Sequence, residues 1–414
     1  MKSTKIAVAL IGARAHYAVP RMLYDAGMLA CLYTDAFGKH NSWARLARCV
    51  PKRIRPADLD RMLSRRIEEI PHDLIHAFSW FGIKRGWRSR FLKSSGGVYR
   101  RFLKNNVEFS RLVAGTGLPN ADAVYTYNAA GLEILAEAKR QSMYAVMEQI
   151  AAPFAVEEGM VAEERELWPG WESRGPKPSD WQPLFEREQS EWELADAIAC
   201  GSQYVVDSMR SVGGPVHKCA VVPYGIQPQM WQCPPRTPRK GPLRVLFSGT
   251  VCLRKGIQYL MRAAELLPRD QIVIRAVGPL QVSAQVVSQL EKAIEILGPV
   301  PRREVIEHYK WADILVLPAL SEGSANVCYE ALAAGLPVIT TPNAGSVIQD
   351  GQQGFIVPIR DHEALAAKMH ELAGDRERLA DLSNRASQRA QQFTWETWKR
   401  GLLAIFSRFE AKEA

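Results

Sequence analysis

Short apolar runs alternate with longer stretches of helical spacing along this chain of 414 residues. In the first half the runs are Ile6–Ile11, Ala123–Tyr127, Tyr144–Met147 and Ala197–Cys200. In the second half they are Val245–Ser248, Ile272–Val277, Ile314–Leu317 and Pro337–Thr340. Such runs are typical of parallel strands that are buried on both faces. Their alternation with helices predicts an α/β protein with two doubly wound domains.

A proline-rich stretch without periodicity, Val222–Leu243, separates the two halves and has the composition of a linker. We therefore predict a first domain over residues 1–225 and a second domain over residues 226–392. The last residues, 393–414, carry apolar side chains at helical spacing. Because this apolar face needs a surface to pack against, the final helix is predicted to return to the first domain.

A second unusual segment, Glu164–Leu184, sets three tryptophans among glycines and prolines. Glycine and proline in this density are typical of irregular backbone. We therefore predict a long loop or lid here rather than an element of a sheet.

The composition is that of a globular protein, with 47% hydrophobic and 23% charged residues. No apolar stretch approaches the length of a membrane span, and the first apolar run is too short for a signal peptide. Seven cysteines are scattered without a C-x-x-C motif, which argues against a zinc site or a disulfide framework. A cytoplasmic location is therefore expected.

The net charge of +9 is concentrated in one segment. Residues 39–111 contain 18 Lys and Arg against 6 Asp and Glu, a difference of +12. With interleaved aromatic residues, this segment could serve anionic membrane lipid at the inner membrane face, an acidic acceptor or, as the least favoured choice, nucleic acid. The alternative is a set of helices with aromatic core faces and solvated basic faces.

Residues 313–340 carry the most informative pattern, because they read as strand, turn, helix and strand. Glu322 falls in the turn after the first strand, and Glu330 falls on the helix. Ligands of open α/β sheets bind at the carboxyl ends of the strands, so both carboxylates are predicted to face a crevice. Along a helix they lie up to about 12 Å apart, at 1.5 Å per residue.

The helix N-terminus between these two glutamates suits an anion. A nucleotide sugar fits the arrangement, with sugar hydroxyls on Glu322, diphosphate on the helix amides and ribose on Glu330. Either glutamate alone is best read as an ordinary solvated residue, and the combination favours a site. The turn and the helix start supply the predicted donor contacts Gly323, Ser324, Ala325, Asn326 and Val327.

A second strand, loop and helix unit begins the second domain. Gly249 permits a tight turn, and Arg254 with Lys255 would direct two cations at a bound diphosphate. The alternative is a plain turn with solvated basic residues. Two further turns, at Gly278 and Val300, are predicted on the rim of the same crevice.

Taken together, these segments resemble the donor-binding domain of glycosyltransferase family 4, the group 1 glycosyltransferases. The resemblance covers residues 195–414 strongly and 1–40 weakly. Its pieces occur in family order: VVPYGI at Val221, G-x5-KG from Gly249, AVG at Ala276, GPV at Gly298, E-x7-E from Glu322, NAGSVIQDGQQGFIVP from Asn343 and FTWETW at Phe393.

The resemblance implies a GT-B fold, in which two Rossmann-like domains face a central cleft, and a retaining reaction. It implies that Lys255 binds the donor diphosphate, that Glu330 holds ribose hydroxyls and that Glu322 contacts the transferred sugar. Many members have arginine after the loop glycine, where this chain has Thr250, and Arg254 is expected to supply that cation.

The first domain departs from the family at one position. Members often place a histidine at the end of a strand facing the sugar, where this chain offers Glu148 and Gln149. The loop after the first strand resembles the family's glycine loop and supplies the acceptor-side candidates Gly12, Ala13, Arg14 and His16.

The expected activity is therefore retaining transfer of a hexose from a UDP- or GDP-type sugar to a hydroxyl of a glycan, glycolipid or polysaccharide precursor. No metal or other cofactor is expected. The alternatives are a GT-B nucleotide-sugar epimerase and a sugar-nucleotide-binding protein without catalysis.

Overall fold

The structure is a computed structural model that describes residues 4–35, 67–88, 95–231, 233 and 239–413. Within these ranges the strands of the first domain are β1 (Ile6–Leu10), β2 (Leu29–Thr34), β3 (Ile75–Ala77), β4 (Ala123–Tyr127), β5 (Tyr144–Gln149), β6 (Ala197–Cys200) and β7 (Cys219–Val221). Those of the second domain are β8 (Leu243–Ser248), β9 (Ile272–Val277), β10 (Ile294–Gly298), β11 (Ile314–Leu317), β12 (Val338–Thr340) and β13 (Gly354–Ile356).

The described helices alternate with these strands. In the first domain they are α1 (Ala18–Asp25), α2 (Ser79–Arg88), α3 (Ser95–Ala114), α4 (Leu132–Arg140), α5 (Phe154–Leu167), α6 (Pro178–Leu194) and α7 (Gln203–Ser211). The remaining helices are α8 (Ile257–Glu265), α9 (Ala284–Leu290), α10 (Arg302–Trp311), α11 (Asn326–Ala333), α12 (His362–Gly374), α13 (Arg376–Ala390) and α14 (Trp395–Glu413).

The strands form two parallel sheets with the same winding. The first sheet has the order β3-β2-β1-β4-β5-β6-β7, and the second has the order β10-β9-β8-β11-β12-β13. In each sheet the chain runs outward from a central strand and then crosses to the other side, which leaves a crevice at the carboxyl ends of β1 and β4 and of β8 and β11. The prediction of two doubly wound α/β domains is confirmed.

All eight strands predicted from the apolar runs are present, with ends that differ by at most two residues. Five strands were missed: β2, β3, β7, β10 and β13. β2 is a buried six-residue strand beside β1 whose apolar run was not recognised, and the other four lie at the edges of the sheets. β3, β7 and β13 have three residues each, too few to show a period of two. β10 is an edge strand in which buried and exposed positions alternate, so it lacks a continuous apolar run.

The final helix, α14, packs on the first domain as predicted. Leu402 and Phe406 have no exposed surface and belong to the same apolar core as β1, β4 and β5. The Phe406 ring lies 6.4 Å from the ring of Tyr125. The second domain is therefore tied to the first by the last helix of the chain.

The chain crosses between the domains twice, and the two crossings are hydrogen-bonded to each other. The amide of Ile226 donates to the carbonyl of Phe393 at 2.9 Å, and the amide of Trp395 donates to the carbonyl of Ile226 at 3.1 Å. A Cβ on Gly225 would lie 2.3 Å from the carbonyl oxygen of Thr394, so only glycine permits this approach.

The prediction of a long loop over Glu164–Leu184 holds for residues 168–177, which form an irregular connection, and is wrong at both ends. α5 continues to Leu167 and α6 begins at Pro178, because proline is well tolerated in the first turn of a helix. The connection between them docks on the second domain. Trp171 is buried in the apolar core of that domain, and its carbonyl accepts from the amide of Ser283 at 2.7 Å.

Much of the basic segment at residues 39–111 lies outside the described residues, and so does Cys49. In the described part, Arg85 pairs with Asp35 at 3.1 Å and Lys84 pairs with Glu108 at 3.1 Å. Among the described helices, none is long and apolar enough to cross a membrane. The six described cysteines are free thiols.

Removing the Leu402 side chain tests whether α14 is docked in solution. We expect Leu402→Ala to lower the free energy of unfolding by about 2–5 kcal/mol, because a cavity is left in the first domain. Ser407→Ala on the exposed face of the same helix is the matched control, with an expected change within about 0.5 kcal/mol. Equal effects of both substitutions in denaturant titrations would show that the helix is undocked.

Candidate active site

An ion cluster lies where the loops after β8 and β11 meet. The Glu322 carboxylate accepts from Nη1 of Arg254 at 2.7 Å and from Nζ of Lys255 at 2.6 Å. Arg254 and Lys255 end a short 3-10 turn, and Glu322 follows the buried strand β11. The structure thus brings together the three residues that the sequence singled out as catalytic candidates.

Glycines allow these loops to approach each other. Gly256 has φ +76°, and a Cβ there would lie 1.9 Å from the carbonyl oxygen of Pro318 after β11. Gly278 has φ +146°, and a Cβ there would lie 2.0 Å from the carbonyl oxygen of Gly249. A side chain at either position would push the loops apart. Thr250 and Val300 lie partly exposed in the neighbouring turns.

The first domain contributes a second carboxylate to this cluster. Glu157 on α5 lies 3.6 Å from Nη1 of Arg254, which also donates to the carbonyl of Ser321 at 2.7 Å. Burial raises the pKa of Glu157. Burial also acts to raise the pKa of Glu322, but Arg254 and Lys255 together hold that pKa below its usual value.

The two domains touch beside Glu322. A Cβ on Gly323 would lie 1.7 Å from the carbonyl oxygen of Ile150, at the end of β5. The Ser202 hydroxyl of the first domain donates to the carbonyl of Gly323 at 2.5 Å. The hydroxyl of Ser324 is buried against that of Tyr329 at 2.7 Å. Gly323 and Ser324 therefore shape the closed end of the cleft through backbone contacts.

Glu330 lies farther along the cleft, on α11. Its Oε2 accepts from the Tyr309 hydroxyl at 2.8 Å, and the Tyr309 ring packs edge-on against Trp231 at 5.2 Å between centroids. A cavity of about 840 Å³ opens here between the domains, and Glu330, Asn326 and Trp231 line it on the side of the second domain. A carboxylate that is held at the cavity wall by the buried Tyr309 hydroxyl can accept hydrogen bonds from hydroxyl groups of a ligand.

The start of α11 faces the same cleft, with one difference from the sequence prediction. The amide of Ala325 already donates to the carbonyl of Ala344 at 3.1 Å. The first amides of a helix have no partner within the helix, so those of Asn326 and Val327 are the ones available to an anion. Asn326 is exposed and Val327 is partly exposed.

On the side of the first domain, Glu148 holds an arginine in place. Its carboxylate accepts from the hydroxyls of Tyr125 at 2.6 Å and Tyr224 at 2.7 Å, and from Nη2 of Arg14 at 3.3 Å. Burial, with Glu148 alongside, raises the pKa of Tyr125. With 2% of its surface exposed, Glu148 orients Arg14 rather than projecting into the cleft.

The neighbouring Gln149 points to the opposite face of β5, as successive residues of a strand do. Its Oε1 accepts from the indole of Trp192 at 3.0 Å, and its Nε2 donates to Glu188 at 2.9 Å. The side chain has no exposed surface, so it stabilises the interior of the first domain.

The loop after β1 enters the cleft with unusual backbone. Gly12 has φ +88°, and its amide donates to Asp35 at 2.8 Å. Ala15, His16 and Tyr17 then have φ values of 42°, 54° and 60°. Three consecutive non-glycine residues with left-handed backbone conformation are rare, and such a backbone stores strain. His16 and Ala13 line the 840 Å³ cavity.

A second cavity of about 610 Å³ extends from the same cleft into the first domain. Arg14 lines it, as do several residues that the sequence analysis did not single out: Arg85, Arg101, Asn105, Asn106 and Asn128. The basic run that contains Arg85 and Arg101 was visible in the sequence. Which of its side chains face a cavity depends on the packing of α2 and α3, which no local pattern encodes.

Among the residues that the structure describes, no three His, Cys, Asp or Glu side chains form a group able to hold a metal ion. The prediction of a metal-free site stays a prediction.

Known proteins resemble the second domain in sequence. Residues 242–375 match the family model described as "Glycosyl transferases group 1". The second domain is thus similar in sequence to group 1 glycosyltransferases. The match begins at the start of β8 and contains Arg254, Lys255, Glu322 and Glu330.

Curated relatives share part of their length with the chain. WcaL of Salmonella typhimurium, a putative colanic acid biosynthesis glycosyltransferase, is 26% identical over 55% of this chain and 58% of its own length. AmsK of Erwinia amylovora, an amylovoran biosynthesis glycosyltransferase, is 28% identical over 39% and 44%. The D-inositol 3-phosphate glycosyltransferase of Nocardia farcinica is 31% identical over 39% and 40%. The matches thus span about half the length of these relatives.

Solved structures resemble the whole chain. Sucrose-phosphate synthase of Thermosynechococcus elongatus superposes with a TM-score of 0.67 and 16% identity, over 99% of this chain and all of that one. Anabaena HepE in complex with UDP-glucose superposes with a TM-score of 0.63 and 14% identity, over 98% and 99%. The fold is that of the GT-B glycosyltransferases, as the sequence predicted.

Two buried carboxylates on α6 support the loops that border the 610 Å³ cavity. Glu188 accepts from Nδ2 of Asn128 at 2.6 Å and from the amide of Phe154 at 2.9 Å. Glu191 accepts from the amides of Ala129 at 2.6 Å and Gly131 at 2.8 Å. Burial raises the pKa of Glu188 to about 7 and that of Glu191 to about 8.

These shifts predict a pH dependence of stability. Between the unfolded pKa of about 4.3 and the folded pKa, the folded state holds a proton that the unfolded state releases. The stability that this proton gives is complete below pH of about 4.3 and is lost as the pH rises through the folded values.

We therefore expect Glu191→Gln to make the decline of the melting temperature between pH 5 and pH 8 shallower, because the buried group that loses its proton over this range is removed. The matched control is Glu186→Gln, on the exposed side of the same helix. Thermal melts in a pH series measure both slopes. A Glu191→Gln slope equal to that of the unaltered protein would contradict the assignment.

Proposed function

We propose that this protein is a retaining glycosyltransferase that moves a hexose from a nucleoside diphosphate sugar to an acceptor hydroxyl. The observation that supports it most strongly is the pair of cations, Arg254 and Lys255, held against Glu322 at the carboxyl ends of β8 and β11. Glu330 lies farther along the same cleft, beside the open end of α11. The sequence match to group 1 glycosyltransferases covers all four residues.

In this proposal the donor lies along the loop after β11 and the start of α11. Glu330 accepts hydrogen bonds from the ribose hydroxyls. The diphosphate binds Arg254 and Lys255 and the backbone amides of Asn326 and Val327. A guanidinium group, an ammonium group and free helix amides together form a strong binding site for a diphosphate. The neighbour HepE was solved with UDP-glucose, which favours a UDP-type donor.

Donor binding then exchanges the partners of the two cations. Without a diphosphate, Glu322 pairs with both Arg254 and Lys255 and offsets the repulsion between these two cations. A bound diphosphate takes over this role and releases Glu322. The freed carboxylate accepts hydrogen bonds from hydroxyl groups of the transferred sugar at the reactive end of the cleft.

The reaction breaks the bond between the anomeric carbon and the phosphate oxygen and forms one from that carbon to the acceptor oxygen. Arg254, Lys255 and the helix amides stabilise the negative charge that develops on the departing diphosphate. The acceptor approaches from the face that the diphosphate leaves, and its proton passes to a phosphate oxygen. Such a path retains the anomeric configuration and needs no protein base.

The acceptor is a saccharide or a saccharide-linked lipid in this proposal. Two of the relatives carry names from polysaccharide biosynthesis, which supports a glycan acceptor. The 610 Å³ cavity of the first domain meets the donor cleft at Asn326, so an acceptor bound there reaches the donor.

A thermal-shift panel with UDP, GDP, ADP and their sugars tests donor binding. With all ligands at the same concentration, we expect UDP and UDP-hexoses to stabilise the protein most, and a ligand at 100-fold over its dissociation constant adds about 2.7 kcal/mol. Lys255→Ala should weaken UDP binding at least about 10-fold and slow hexose transfer, because a charge-assisted hydrogen bond to the diphosphate is lost.

The control for this substitution is Lys292→Ala, an exposed lysine that follows α9. It should leave both binding and transfer unchanged. Full turnover by the Lys255→Ala protein would contradict the assignment of Lys255 to the diphosphate. If no nucleotide sugar stabilised the protein, the proposed activity would be contradicted.

A further inference from the structure

One face of α3 forms a wall of the 610 Å³ cavity. The residues concerned follow helical spacing, at positions 98, 101, 102, 105 and 106. Val98 and Phe102 are 40% and 44% exposed, while Asn105 and Asn106 are buried deeper along the same face. The wall therefore has an apolar outer part and an amide-bearing inner part.

Three guanidinium groups line this cavity from three separate elements. Arg14 follows β1, Arg85 lies on α2 and Arg101 lies on α3. Among the described residues of the lining, none is an aspartate or a glutamate. A cavity with several arginines and no carboxylate in its wall attracts an anion.

The carboxylates that pair with two of these arginines lie behind them. The side chain of Arg14 is 31% exposed and that of Glu148 only 2%, and the values for Arg85 and Asp35 are 30% and 2%. Each ion pair thus presents its cation to the cavity and its anion to the interior.

Arg14 is also held in one orientation. Its Nη2 donates to Tyr224 at 2.7 Å and to Glu148, and its guanidinium lies over the ring of Tyr127 at 5.7 Å. No described residue accepts from its Nε or Nη1. A fixed guanidinium with donors to spare binds an oxyanion with little loss of conformational entropy.

Asn106 supplies an independent observation. It is 4% exposed, it lines the cavity, and its Nδ2 has no hydrogen-bond partner among the described residues. A buried amide without an acceptor is costly, so such groups are rare in folded proteins unless a ligand or water satisfies them. A rotation of the amide group would turn this donor toward an oxygen of an anion bound in the cavity.

We propose that the acceptor carries a phosphoryl group, which binds in this cavity between Arg14, Arg85 and Arg101 and accepts from Nδ2 of Asn106. This inference rests on the proposed transferase activity and names its acceptor class. Guanidinium groups arriving from three directions suit the tetrahedral oxygens of a phosphate better than the plane of a carboxylate. The phosphoryl group holds the acceptor while its hydroxyl points to the donor cleft at Asn326.

Calorimetric titration in the presence of saturating UDP tests the proposal. The soluble probe is glucose 6-phosphate, and the lipid probe is a glucosyl farnesyl diphosphate in detergent micelles. Their neutral counterparts are glucose and an alkyl glucoside in the same detergent, and glucuronate supplies a carboxylate. At least one phosphoryl probe should bind about 10-fold or more tightly than its neutral counterpart and than glucuronate.

Two substitutions in the wall should remove this preference. Arg101→Gln should weaken binding of the phosphoryl probe at least about 10-fold, because one charge-assisted contact is lost. Asn106→Asp keeps the size of the side chain and sets a negative charge against the phosphate, so it should weaken binding at least as much. Arg111→Gln, on α3 but outside the cavity lining, is the matched control and should bind as the unaltered protein does.

The outcomes separate this inference from the proposed activity. Phosphoryl binding that responds to Arg101→Gln and Asn106→Asp, with UDP affinity unchanged, supports the inference, and the responding probe tells a soluble phosphate from a lipid diphosphate. Equal binding of neutral and phosphoryl probes, tighter binding of glucuronate, or no effect of both substitutions overturns it. UDP binding and hexose transfer to a neutral acceptor would then leave the transferase proposal standing.

Discussion

Two cations share one carboxylate at the meeting point of the domains, and the organisation of the cleft depends on this contact. Arg254 and Lys255 come from the loop after β8, Glu322 comes from the loop after β11, and Glu157 reaches Arg254 from the first domain. Glycines hold the loops close enough for the contact, since a Cβ on Gly256 would lie 1.9 Å from a carbonyl oxygen. In the proposed function, the cluster keeps the cations in place until a diphosphate binds, and the donor then replaces Glu322 as their partner.

The first domain has the same arrangement at the cavity that we propose for the acceptor. Glu148 lies behind Arg14, and Asp35 lies behind Arg85, so that buried carboxylates orient cations at the wall of a cavity. The cost of burying each charge is offset by its partner and by the tyrosine hydroxyls around Glu148. The cleft thus has basic groups on both sides, which suits a reaction between a diphosphate donor and an anionic acceptor.

The sequence predicted those features of the structure that local sequence patterns encode. The apolar runs identified the central strands of both sheets, and the strand, turn and helix around Glu322 and Glu330 followed from spacing alone. The ion pair of Glu322 with Lys255 was not predicted, because it joins loops 67 residues apart in the chain. Other features likewise depend on packing between distant elements. These are the buried positions of Glu148 and Gln149, the docking of Trp171 on the second domain, and the cavity face that carries Arg101 and Asn106. Three-residue edge strands were missed because they are too short to show a period.

The most direct test of this account is the affinity of Glu322→Gln for UDP, measured by calorimetry beside the unaltered protein and a Glu291→Gln control. If Glu322 occupies the diphosphate-binding cations in the free protein, removing its charge should make UDP bind more tightly, while hexose transfer falls because the sugar contact is weakened. The Glu291→Gln protein should match the unaltered protein in both respects. Equal or weaker UDP binding by Glu322→Gln would contradict the exchange of partners on which the account depends.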